Sequence, residues 1–230
     1  MKTIGLLGGM SWESTALYYQ QINQAIQQEL GKLHSAKIIM VSVDFAEIEQ
    51  FQRQGTWDEA GAYLAEKAVQ LEHAGAEMIV LCTNTMHKIS EIIENATTVP
   101  LIHIADATAS VIKNQSIKKI GLIGTAFTME QTFYKDRLQQ QGLEVIIPNN
   151  IQRKTIHETI YNELCLGVIN LDSQRAYIEI VEDLIASGAQ GIVMGCTEIC
   201  MLIGENHFSV PLFNTTAIHA QAAVEFALSP

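Results

Sequence analysis

The chain has 230 residues, 48% of them hydrophobic and 17% charged, which supplies an ordinary buried core as one large domain or two small ones. Against 25 Asp and Glu stand 14 Lys and Arg, a formal net charge of −11. That balance excludes nucleic acid and anionic membranes as partners, since both need clustered cations, and favours a small soluble metabolite.

In chain order, Lys2 precedes an apolar run, Ile4 to Leu7, that Gly8 and Gly9 cut short. The run is too brief for a signal-peptide core or a membrane span and predicts a buried first strand. Cys82, Cys165, Cys196 and Cys200 form neither CxxC pairs nor a dense disulfide framework, so reduced thiols and a cytoplasmic location are expected.

The chain repeats itself at a nearly constant offset. Gly5-Leu-Leu-Gly-Gly9 matches Gly121-Leu-Ile-Gly-Thr125, each a short apolar strand running into a loop. Gly61 to Ala74 and Ala176 to Ser187 both carry helical spacing and end at a glycine suited to close a helix, Gly75 and Gly188. The segment from Gly75 to Thr85 then matches Gly188 to Glu198, which sets Thr83 against Cys196. Val99-Pro-Leu-Ile102 matches Val210-Pro-Leu-Phe213, and Thr216 to Leu228 predicts a final helix that returns to the first half.

Continuous apolar strands alternating with helices predict an α/β fold with parallel sheets covered on both faces. The duplication makes this two similar α/β sandwich half-domains related by a pseudo-twofold axis. The expected limits are residues 1–99 plus 214–230 for the first and 100–213 for the second. Open parallel sheets bind ligands at the C-terminal ends of their strands, so the active site is expected in a cleft between the halves. On that ground Met10, Ser11 and Thr125 are candidate lining residues. Polar residues after Thr83 and Cys196 predict helix N-termini, whose free N–H groups would hold a carboxylate and lower the Cys196 thiol's pKa.

Three motifs, Gly8-Gly9-Met10, Cys82-Thr83-Asn84-Thr85-Met86-His87 and Gly195-Cys196-Thr197-Glu198, resemble those of the aspartate/glutamate racemase family, and the resemblance spans essentially the whole chain. It implies a racemase that uses no cofactor and no metal and acts on a small-molecule amino acid, as a homodimer. Thr83 and Cys196 are then the catalytic pair on opposite faces of the substrate, and Asn84, Thr85, Thr197 and Glu198 bind its polar ends. One residue takes the α-proton and the other returns one, while hydrogen bonds to the carboxylate stabilise the carbanion.

The sequence departs from the family at two places. Thr83 stands where the first cysteine is usual, and Cys82, one residue earlier on an extended segment, points the other way and is expected to pack. With water's pKa of ~16 as a proxy for the hydroxyl, a Thr alkoxide costs roughly 9 kcal/mol more than a thiolate, so Thr83 donates a proton far more easily than it accepts one. Gln52 and Cys165 stand where similar enzymes carry Arg and Lys for a distal carboxylate, which predicts tolerance of neutral side chains such as homoserine. Arg53, beside Gln52, reads as a surface residue. His87 and His219 read as satisfied core or surface histidines ahead of groups that orient catalytic residues, Asn214 at a strand end reads either way, and Met129, Met194 and Met201 lie at core-like spacing. Two other functions fit less well: a malonate-type decarboxylase using Cys196 alone, and a non-catalytic amino-acid-binding module.

Overall fold

The structure, a computed structural model, describes all residues from Met1 to Pro230. It divides into two compact units, Met1–His103 with His219–Pro230, and Ile104–Ile218.

The first unit holds β1 (Ile4–Gly8), α1 (Trp12–Leu30), β2 (Ile38–Ser42), α2 (Phe45–Gln54), α3 (Trp57–His73), β3 (Met78–Leu81), α4 (Ser90–Ala96) and β4 (Leu101–Ile102). The second holds α5 (Ile104–Asn114), β5 (Lys119–Gly124), α6 (Ala126–Glu130), α7 (Thr132–Gln140), β6 (Glu144–Ile146), α8 (Asn150–Asn162), α9 (Leu171–Ala186), β7 (Ile192–Gly195) and β8 (Leu212–Asn214). The last helix, α10 (Thr215–Leu228), supplies Ala220, Ala223, Val224 and Ala227 to the core of the first unit. No helix is long and apolar enough to cross a membrane.

Each unit is built on a four-stranded parallel sheet, in the order β2-β1-β3-β4 and β6-β5-β7-β8. The registers agree residue for residue with the sequence repeat. Gly5 pairs with Ile39 and Ile79, and its counterpart Gly121 pairs with Ile146 and Ile192. Ile79 pairs with Leu101 and Ile192 with Leu212, the third pair of matching segments. A one-residue slip in either ladder would turn every apolar side chain to the opposite face, so a shared register means that the two halves bury the same positions.

Alternation across the pleat sorts the central strands onto two cores. Leu7, Ile79 and Leu81 face α2, α3 and α4, while Leu6, Met78 and Val80 face α1 and α10. In the second sheet Ile123, Ile192 and Met194 face α8 and α9, and Leu122 and Val193 face α5 and α7. Burial on both sides explains why these strands read as unbroken apolar runs. The predicted helix closures are present: Gly75 and Gly188 follow α3 and α9 with φ of +102° and +95°.

The division falls a few residues beyond the expected limits. The β4 strand pairs only with β3, so 100–103 belong to the first unit, and Asn214 ends β8 in the second. The apolar spacing that marked these segments could not say with which sheet each would pair. Met201, expected in a core, is 41% exposed because it closes a short surface turn.

Candidate active site

Met10, Ser11, Thr83, Asn84, Thr85, Thr125, Cys196, Thr197 and Glu198 follow the C-terminal ends of the central strands of their own sheets, whereas Gln52 lies on α2 and Cys165 in the turn Leu164–Leu166. In the first unit the chain leaves β1 through Gly8 and Gly9. A Cβ on Gly9 would lie 2.2 Å from the Val43 carbonyl, and its φ of +93° suits only glycine. This tight passage is locked by the Gly9 amide donating to Thr15 Oγ1 at 2.8 Å. Met10 and Ser11 follow, both buried; Met10 joins the core beneath, and the Ser11 hydroxyl caps α1 by accepting from the Ser14 amide.

After β3 comes a second buried turn. Cys82 lies wholly in the core, where burial drives its thiol pKa far up, and its sulfur points at the Val80 carbonyl. Thr83, Asn84 and Thr85 follow, each with no more than 9% of its surface open. Two side chains grip this turn through its carbonyls. Ser14 Oγ donates to the Cys82 carbonyl at 3.4 Å, and His87 Nδ1 donates to the Thr83 carbonyl at 2.7 Å. Gln52 on α2 is buried and directs its amide to the Met86 sulfur at 3.2 Å.

In the second unit, Thr125 leaves β5 and caps α6 by accepting from the Thr128 amide. Beyond β7 stands Cys196, whose thiol donates to Glu198 Oε2 at 2.9 Å. Thr197 Oγ1 and Thr216 Oγ1 are 2.7 Å apart, and Thr215 Oγ1 donates to the Met194 carbonyl at 2.8 Å, which ties the loop to the start of α10. Cys165, half-buried in the turn Leu164–Leu166, packs against the same core as Cys196. Arg53 is turned away, its side chain 69% exposed and paired with Glu49.

The predicted helix N-termini are not formed. Each strand is followed instead by a five-residue 3-10 segment, Thr85–Ile89 and Thr197–Met201, too short to add up an α-helical dipole. The Cys196 thiol is accordingly pushed well above its ordinary pKa rather than lowered. Burial of the sulfur is the main cause, followed by the negative charge of Glu198 and by Cys165. Cys200 is raised to about 11 for the same two leading reasons, burial and then Glu198. Cys196 is therefore a thiol in hydrogen-bond contact with the Glu198 carboxylate.

Tyr18, His103, Thr215 and Thr216 were not among the sequence candidates. A signal for one of them existed: extending the third repeat by one residue sets His103 against Asn214, each at the end of an edge strand.

With this geometry in place, the similarities of the chain become specific. Residues 7–223 match the Asp/Glu/Hydantoin racemase family. The chain belongs to that family. It is 24% identical to the broad specificity amino-acid racemase RacX of Bacillus subtilis strain 168, over 98% of both chains. A crystal structure of a candidate Asp/Glu racemase from Yersinia pestis is 56% identical, with a TM-score of 0.95 and full coverage of both chains. An aspartate racemase homologue from Pyrococcus horikoshii OT3 is 33% identical, with a TM-score of 0.86 and full coverage of both chains. The family's two-sheet α/β fold is the one described above.

Proposed function

We propose that the protein is a cofactor-independent amino-acid racemase, with Cys196 and Thr83 exchanging the substrate's α-proton from opposite faces. The observation that carries this reading is the Cys196 thiol donating to the Glu198 carboxylate at 2.9 Å. A general base must shed its own proton first, and a carboxylate in hydrogen-bond contact is where that proton can go.

The raised pKa of Cys196 fits this chemistry. Part of what holds the proton on sulfur is the Glu198 charge, and a substrate ammonium drawn to Glu198 offsets it. Thiolate formation is thereby tied to the arrival of an amino acid. On the other face Thr83 returns a proton, the direction in which a hydroxyl is competent; once product leaves, solvent reprotonates the Thr83 alkoxide while the proton gained by Cys196 passes through Glu198 to solvent, which resets the pair. Because enantiomers have equal free energy in solution, kcat/KM is the same both ways; a preference for the L-form shows only in kcat and KM separately. Asn84, Thr85 and Thr197 bind the carboxylate and ammonium ends, with Met10, Ser11 and Thr125 shaping the surroundings.

Side-chain selection is broad in this reading. Gln52 presents a neutral amide, Cys165 a thiol, and the Arg53 guanidinium is engaged with Glu49. Aspartate and glutamate are accepted, and so are neutral side chains such as that of homoserine.

The test is α-hydrogen exchange in deuterium oxide with L-aspartate, L-glutamate and L-homoserine, with chiral chromatography of the products. Exchange with convergence on the racemate from either enantiomer is expected. A lasting excess of the D-form, or tight binding without exchange, overturns the proposal. Carbon dioxide release from a disubstituted malonate would reassign the enzyme as a decarboxylase.

A further inference from the structure

A string of buried aromatic side chains runs beneath the Thr83 turn. His219 on α10 is fully buried, and both its ring nitrogens are engaged. Its Nε2 lies 2.6 Å from the Ile102 carbonyl, which can only accept, so Nε2 carries the hydrogen. Full burial holds the His219 pKa down to about 4 and keeps the ring neutral, so its Nδ1, 2.8 Å from the Tyr18 hydroxyl, is the acceptor.

The His219 ring stands edge-on to His87, with centroids 5.5 Å apart and planes at 66°. His103 meets His87 in the same manner, at 4.5 Å and 65°. His87 is itself only 2% exposed, and its Nδ1 lies 2.7 Å from the Thr83 carbonyl, so Nδ1 also carries a hydrogen. Two rings hold the plane of a third, and the third holds the backbone of Thr83.

We infer that His87 is a positioning residue for Thr83: its Nδ1–H, aimed by His103 and His219, fixes the Thr83 carbonyl and so directs the Thr83 hydroxyl toward the α-carbon. The inference rests on the proposed role of Thr83 as the acid on one face. Protonation leaves the contact in place, since Nδ1 is a donor in both charge states of the ring. A hydroxyl on a β-branched side chain follows its backbone closely, because χ1 is confined to few rotamers. Loosening the carbonyl by one bond therefore misdirects the proton donor while leaving the Cys196 face intact.

The two faces have separate readouts. From an L-substrate, α-deuterium wash-in with retention needs Cys196 alone, whereas inversion also needs Thr83. The ratio of exchange to inversion therefore reports on the Thr83 face. The variants are His87→Asn, whose amide sits where Nδ1 stands, and His87→Gln, whose amide sits near Nε2 and leaves the Thr83 carbonyl unserved. Both keep a polar group of similar size.

His87→Gln is expected to raise the ratio about tenfold, the loss of one buried hydrogen bond, and His87→Asn to keep it near the wild-type value. Equal ratios in the two variants, or exchange and inversion falling in step in His87→Gln, overturn the inference. Thr83→Ala is run beside them. If it fails to raise the ratio, the role given to Thr83 is wrong and the inference falls with it; if only the His87 variants fail, Thr83 stands and His87 is a packing residue.

Discussion

The turn after β3 and the turn after β7 occupy the same place in two sheets of matching register, yet they are held by different means. Thr83 is fixed through its backbone, by histidine and serine side chains gripping the carbonyls of the turn. Cys196 is engaged through its reactive atom, by a carboxylate two residues away. The difference follows from chemistry. In the proposed roles, a hydroxyl that hands its proton to the substrate has to be aimed, whereas a thiol that must become an anion needs a partner for its proton. Duplication supplied two equivalent positions, and the neighbours of each made them unequal.

Substitutions can break or sharpen this contrast. The largest effect is expected from Cys196→Ser, because serine raises the cost of forming the anion on the face that initiates with L-substrates. Racemisation and α-deuterium wash-in from the L-enantiomer should both fall about 10³-fold, measured on purified protein with unchanged thermal unfolding. Retained wash-in would move the base elsewhere.

Next comes Glu198→Gln, expected to reduce turnover about 10²-fold by removing the proton acceptor. The same change should make the thiol more acidic. Glu198 is one of the causes holding the Cys196 pKa up, so the midpoint of iodoacetamide alkylation against pH should move down, although burial keeps it above the ordinary cysteine value. A midpoint that stays put would separate Glu198 from the thiol.

Thr83→Cys should bring the two faces closer to equality. A thiol at position 83 accepts a proton more readily than a hydroxyl does, so kcat from the D-enantiomer should rise about tenfold. Initial rates by polarimetry test this, and an unchanged D-side kcat would contradict the account of why Thr83 is one-sided.

The last effect concerns stability rather than catalysis. Folded His219 has its pKa held near 4 by burial, below the ordinary value of 6.5, so the unfolded chain gains its proton first as pH falls. Its contribution is therefore complete above about pH 6.5 and is lost progressively down to about pH 4, amounting to on the order of 3 kcal/mol. Urea unfolding between pH 7 and 4 should show this slope in the wild type and a shallower one in His219→Asn. Equal slopes would mean that His219 is not buried neutral.

The sequence alone determined the class of fold, the duplication and the equivalence of Thr83 and Cys196. These properties are local or periodic: apolar runs, helix-closing glycines and repeated segments leave their mark within a few residues. It also indicated that Cys82 packs, because alternation along an extended segment is a geometric rule. What it could not decide were partnerships made by folding. The Tyr18 to His219 contact joins residues 201 apart, and no pattern near either announces it. The assignment of β4 to the first sheet and the burial of the Cys196 sulfur likewise depend on what packs around them. The sign of the Cys196 shift turned on this: short-range reading saw a helix start that would lower the pKa, whereas the folded surroundings supply a 3-10 turn, burial and a carboxylate that raise it.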